Sequence, residues 1–221
     1  IEVRASSADD GPDVLKVGVN NGNRLPVADY NTIFSQEVRS IEVEFLGDNE
    51  IDKGIITFAR VARKDNPSSA INLAGNAAPL KVVSLQIPSP GYLDPGEYWL
   101  EVNAKSANNV LMDSIFRFTI IVDNTLPTLT ITPSDGSIIN TPSTTITLTF
   151  NEEVNLDTVV LNSEDKKGEF STTGATINKV FTASLPLSDG NYNLQVAAED
   201  YAENSVSGSV SFAVNSQPLS I

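Results

Sequence analysis

One stretch of this chain occurs twice. Residues 93–104 read L-D-P-G-E-Y-W-L-E-V-N-A, and residues 187–198 read L-S-D-G-N-Y-N-L-Q-V-A-A. Six positions agree in register: Leu93/Leu187, Gly96/Gly190, Tyr98/Tyr192, Leu100/Leu194, Val102/Val196 and Ala104/Ala198. Each copy continues through a polar loop into a strand-like run, Phe116–Val122 and Val210–Val214. A repeat at about 94 residues marks two copies of one folding module, and 221 residues suffice for two ordinary cores.

The hydrophobic pattern sets the class of that module. Ser40–Leu46 alternates, with Ile41, Val43 and Phe45 on one face and Glu42 and Glu44 on the other, which predicts a half-buried antiparallel strand. Thr144–Phe150 alternates in the same way, with Ile146, Leu148 and Phe150 inward and Thr145, Thr147 and Thr149 outward. Further strands are expected at Asp13–Val19, Ile55–Ala62, Leu80–Ile87, Tyr98–Ala104, Thr128–Thr132, Val159–Leu161, Val180–Leu185 and Asn191–Ala198. Asn20–Asn23 and Pro133–Gly136 read as tight turns, and Arg63–Ala78 as a long polar loop. No segment shows a capped stripe of helical period. Short strands divided by Gly, Pro, Asn and Asp predict an all-β fold of two Greek-key sandwiches in tandem. The boundaries are 1–123, with an N-terminal extension, and 124–217, joined by the linker Asp123–Pro127. Pro218–Ile221 repeats the start of the second module and reads as a truncated third repeat.

Composition excludes several functions. The net charge is −14, which disfavours nucleic acid and anionic membranes as partners. There is no Cys and no His, so thiolate chemistry, His-based triads and nearly all zinc sites are absent. No apolar run approaches the ~20 residues that span a bilayer. Glu152 and Glu153 are adjacent in one loop rather than set across a cleft, and no phosphate-binding glycine loop or nucleophile elbow occurs. The chain is therefore expected not to be an enzyme.

In Greek-key sandwiches a Tyr near the start of the sixth strand bonds its hydroxyl to backbone upstream. Leu-x-x-Gly-x-Tyr supplies that corner, so Tyr98 and Tyr192 are structural tyrosines and Leu93 and Leu187 plug the core below them. Here a resemblance enters. The second module is similar to the immunoglobulin-like repeats of large bacterial and archaeal surface proteins, adhesin stalks and S-layer-type proteins among them. The residues that carry it are Val122–Pro127, Pro133–Gly136, Leu148–Val154, Leu187–Tyr192 and Ala198–Asn204. It covers about 90 residues well and the first module loosely. The resemblance implies immunoglobulin-like sandwiches in an extracellular, cell-surface setting. It implies no ligand.

On such a sandwich Asp94, Asp123, Asn124, Glu152, Glu153, Asp200 and Glu203 belong to loops flanking the module junction. Carboxylate and amide oxygens are what Ca²⁺ requires. In related surface arrays interdomain Ca²⁺ stiffens the stalk, so the resemblance favours calcium there; the alternative is solvated loop acids. A second acidic loop, Asp48–Asp52, lacks the EF-hand pattern and reads as a hairpin tip. Trp99 falls on the outward parity with Glu101 and Asn103, as do Ile115 and Ile121. It is either a sugar or partner contact or is covered by segment 1–13 or 63–78.

The expected role is a non-catalytic spacer in a surface protein, whose partners are neighbouring domains and like subunits. The alternative is a glycan- or protein-binding accessory module of a secreted enzyme or adhesin tip, resting on Trp99 and the 63–78 loop. A further alternative is assembly by strand exchange through residues 1–13.

Overall fold

The computed structural model describes residues 11–46, 53–173 and 179–216. Residues 1–10 of the N-terminal segment, the acidic tip at 48–52 and the repeat start at 218–221 lie outside them. The chain divides into two compact units, Ile1–Asn124 and Thr125–Ile221.

Unit 1 contains β1 (Val14–Val19), β2 (Leu25–Pro26), β3 (Thr32–Ser35), β4 (Ser40–Phe45), β5 (Ile55–Arg63), β6 (Ile71–Asn72), β7 (Val82–Gln86), β8 (Gly96–Lys105) and β9 (Phe116–Val122). They form two sheets, ordered β2-β1-β4-β7 and β3-β9-β8-β5-β6. Alternate residues of both meet in one core that includes Val17, Ile41, Val43, Phe45, Val61, Leu85, Leu100, Val102 and Ile120. Period-two alternation makes this possible, because each strand turns one row of side chains toward the facing sheet.

Unit 2 contains β10 (Leu129–Thr132), β11 (Ile138–Ile139), β12 (Ser143–Phe150), β13 (Asn155–Leu161), β14 (Glu164–Asp165), β15 (Ser171–Thr173), β16 (Val180–Pro186), β17 (Gly190–Glu199) and β18 (Ser205–Val214). The sheets run β10-β12-β16-β15 and β11-β18-β17-β13-β14. Strand for strand this is the plan of unit 1, save that unit 1 adds β2 beside β1 and unit 2 adds β15 beside β16. Its core includes Ile146, Leu148, Phe150, Val159, Leu194, Val196 and Phe212. The inward set expected for Thr144–Phe150 is buried, and Phe150 meets Phe181 edge-on at 6.0 Å between centroids. The protein is thus all-β, two immunoglobulin-like β-sandwiches.

The structure corrects three local expectations. The opening strand of each module is split: β1 joins one sheet and β3 crosses to pair in parallel with β9, while β10 and β11 do the same, with β11 parallel to β18. Gly136, at φ +76°, makes the break in unit 2, where no L side chain sits easily. The 63–78 segment is not only loop. It holds a short 3₁₀ turn, Pro67–Ser69, then β6, and it buries Leu73 in the core. Finally, β4 is buried on both faces rather than half-buried. Its outward Glu44 takes Arg24 Nε at 2.8 Å, and Glu42 accepts from Ser40 Oγ at 2.7 Å, so both carboxylates lie covered.

Both tyrosine corners are formed. Tyr98 Oη donates to the Asp94 carbonyl at 2.8 Å, and Tyr192 Oη donates to the Ser188 carbonyl at 2.8 Å. Tyr98 is buried, whereas Tyr192 is partly open and stacks on Phe212 at 5.5 Å. Burial raises the Tyr98 phenol above its ordinary value, with Arg63 pulling the other way. Tyr98→Phe should cost unit 1 about 1 kcal/mol, the worth of one hydrogen bond. For a domain this size that lowers the melting temperature by ~4–8 °C. Tyr192→Phe should cost unit 2 less, because its hydroxyl site is wet. Calorimetry of the single and double variants checks both, and equal costs would remove the distinction.

Candidate functional site

In unit 1, Gly96 pairs with Val122, so the turn that holds Asp94 lies beside the end of β9, from which Asp123 continues. Asp123 N–H donates to the Ser35 carbonyl at 3.0 Å, which fixes the start of the linker against β3. Asn124 is exposed.

In unit 2, Asn155 pairs with Glu199, so the β12–β13 and β17–β18 turns share one end of the sandwich. Thr128 reaches the same end: its N–H donates to Asn151 Oδ1 at 2.6 Å. Glu152 and Glu153 are half-buried there, and Glu153 faces Lys179 Nζ at 3.3 Å. Asp200 is only 5% exposed. Its Oδ1 accepts from Ala202 N–H at 2.7 Å and Asn204 N–H at 2.9 Å, and its Oδ2 from Asn204 Nδ2 at 2.8 Å. Those bonds hold a tight turn in which Ala202 is buried and Glu203 takes φ +67°, a left-handed conformation. Asp200 therefore acts first as the clasp of its own loop. A carboxylate has about four acceptor positions, so three donors leave it one lone pair for another partner.

A second constellation lies on the outer face of the β3-β9-β8-β5-β6 sheet. Trp99 is half-buried there, on the outward parity read from the sequence. Arg117 lies over its ring at 5.9 Å, and Arg60 lies over Phe58 at 5.5 Å. Between them Glu101, 2% exposed, takes Arg60 Nε at 2.5 Å and Arg117 Nε at 2.7 Å. Burial would push the Glu101 carboxyl up, but the hydrogen bonds and charges of Arg60 and Arg117 outweigh it and hold the group below its ordinary value. The sequence reading did not find Arg60, Glu101 and Arg117. The signal is cross-strand register, which pairs Arg60 with Glu101 and Glu101 with Arg117.

A shallow groove of about 430 Å³ opens in unit 2, lined by Ile138, Asn162, Asn191, Tyr192, Asn193 and Phe212 among others. Its amides bond one another: Asn162 Nδ2 donates to the Asn191 carbonyl, and Asn162 Oδ1 accepts from Asn193 N–H. Among the described residues no helix is long and apolar enough to cross a membrane.

Asp200→Ala removes the acceptor of the Ala202 and Asn204 N–H groups and of one Asn204 Nδ2 bond. It should destabilise unit 2 by about 3 kcal/mol, at the upper end for unsatisfied buried groups. Unit 1 should melt unchanged. Calorimetry with and without added Ca²⁺ checks this; a loss seen only with the metal would make Asp200 a ligand before a clasp.

Residues 128–215, which lie wholly within unit 2, match the CopC domain family. No curated protein sequence matches the chain. Among solved structures it is similar to fibronectin(III)-like modules of Clostridium thermocellum CbhA, at 14% identity and TM-score 0.43 over 90% of this chain and 94% of that one. It is also similar to dimeric latent PorU of Porphyromonas gingivalis, at 16% identity and TM-score 0.34, over 93% of this chain but 24% of that one. A chimeric titin Z1Z2 tandem aligns at 13% identity and TM-score 0.27 over 84% of this chain and 95% of that one. The strand order of each unit and the CopC match over the second agree on immunoglobulin-like β-sandwich modules.

Proposed function

We propose that this segment is a non-catalytic spacer of an extracellular, cell-surface protein, built to carry load between flanking domains. The carrying observation is the parallel pairing that closes each unit, β3 with β9 and β11 with β18. Tension draws the chain from the N-terminal side of the first strand of each pair and from the C-terminal side of the last. In a parallel pair those two points lie at opposite ends, so all the bridging hydrogen bonds are loaded together in shear. An antiparallel pair pulled from one end opens bond by bond. Only the six residues from Asp123 to Thr128 separate β9 from β10, so little slack lies between the units. Stretching the chain in a single-molecule force experiment should give two abrupt events. Each should release roughly 25–30 nm, at up to ~3.6 Å per residue. Gradual opening without peaks overturns the load-bearing reading.

Calcium binding belongs to the same proposal, with Asp94, Asp123, Asn124, Glu152, Glu153, Asp200 and Glu203 as the candidate oxygen donors. Its support is chemical: hard carboxylate and amide oxygens, and the free lone pair of Asp200. Copper fits less well. Copper favours imidazole, thiolate and thioether ligands, and residues 128–215 contain no His, Cys or Met. Titrating Ca²⁺ into metal-free protein should raise the melting temperature, since a ligand at 100 times its Kd adds about 2.7 kcal/mol. Asp123→Asn should weaken that response. No shift at millimolar Ca²⁺ removes the metal and leaves the spacer standing.

A further inference from the structure

The Arg60–Glu101–Arg117 row is a receptor-like arrangement that the spacer reading does not use. The three residues are successive cross-strand partners on β5, β8 and β9. Glu101 is buried between two arginines whose side chains are 38% and 64% exposed. Each guanidinium is bonded to Glu101 through Nε and rests on an aromatic ring. Their Nη groups make no hydrogen bond among the described residues. The row thus sets two fixed forks toward solvent, and one carboxylate leaves it net positive on a chain whose net charge is −14.

We infer that this face binds an acidic polysaccharide, with carboxylates held by Arg60 and Arg117 and a sugar ring laid against the exposed part of Trp99. Charge complementarity selects an anion. A guanidinium edge receives a carboxylate through two parallel bonds, which makes Arg suited to the task. The two arginines reach in from β5 and β9 to the two oxygens of one carboxylate, so the forks stand side by side over β8. That suits carboxylates carried on nearby rings of one rigid chain. An acidic peptide fits less well. Peptides dock on sheets by adding a strand at an edge. Here β8 is paired on both sides, so the face has no free backbone groups to offer. A ligand must bring its own stiffness and its own flat surface, as a chain of uronate rings does.

Trp99 is the only tryptophan, so intrinsic fluorescence reads this face alone. Adding oligogalacturonate to the full chain at low salt should shift Trp99 emission saturably, and added salt should weaken the response. A neutral cello-oligosaccharide should give none. Arg117→Lys retains a cation beside Glu101 but removes the fork, so it should lower affinity at least tenfold. Arg60→Lys should act likewise, and thermal melts of both should stay near that of the parent, which separates lost binding from lost folding. Several results overturn the proposal: no emission change with oligogalacturonate, equal binding of the neutral sugar, or unchanged affinity in both lysine variants. Equally tight binding of poly-glutamate would replace it with a surface for acidic protein. None of these outcomes bears on the force or calcium tests of the spacer.

Discussion

Two stacked sheets are held together by more than the side chains between them when one piece of backbone belongs to both. In each unit the opening segment does this. β1 lies in the first sheet beside β4, and β3 lies in the second beside β9. β10 and β11 repeat the arrangement beside β12 and β18. The sheets therefore cannot slide apart without breaking a ladder, and the first and last strands of the unit become neighbours. The corner tyrosines sit on the strand next to that closure, since β8 pairs with β9 and β17 with β18. Corner, closure and core thus form one connected structure rather than three separate devices.

Most of this plan was legible in the sequence because its period is local. Ile146, Leu148 and Phe150 announce their face within seven residues, and Leu-x-x-Gly-x-Tyr announces the corner within six. What escaped depends on distant partners. Thr32–Ser35 is four residues with no alternation to distinguish it, and only its match to Thr119–Val122 makes it a strand. The same holds for Ile71–Asn72, which needs Arg60 and Val61. Glu42 and Glu44 read as solvated because charge usually means exposure. Their burial follows from hydroxyl and cation partners: Ser40 on the same strand, Ser84 on β7, Lys16 on β1 and Arg24 just before β2. For the site, the acids at the strand ends were visible as loop residues. The clasp role of Asp200 was not, because it rests on backbone N–H groups that a sequence does not show.

The distribution of charge follows one rule. Lys and Arg number 14 against 28 Asp and Glu, so cations are scarce. Several stand where an acid lies on a sheet face or in a half-buried turn: Arg24 and Lys16 at Glu44, Arg60 and Arg117 at Glu101, Lys179 at Glu153. A buried carboxylate without a cation or strong donors would cost several kcal/mol. Glu42, with Ser40 and Ser84 at one oxygen and no partner at the other among the described residues, is the point where that rule is most strained.

The strands at the sheet margins are short. β2, β6, β11 and β14 have two residues each, β15 has three, and β3 and β10 have four; only β7, at five, is longer. An edge of two to four residues offers few unpaired backbone groups for a foreign strand to adopt. Similar modules strung on one chain are held at high local concentration as each emerges and folds. Under those conditions long open margins would let one copy complete its sheet with a strand from the next. The clipped margins make each module a closed unit toward its own kind.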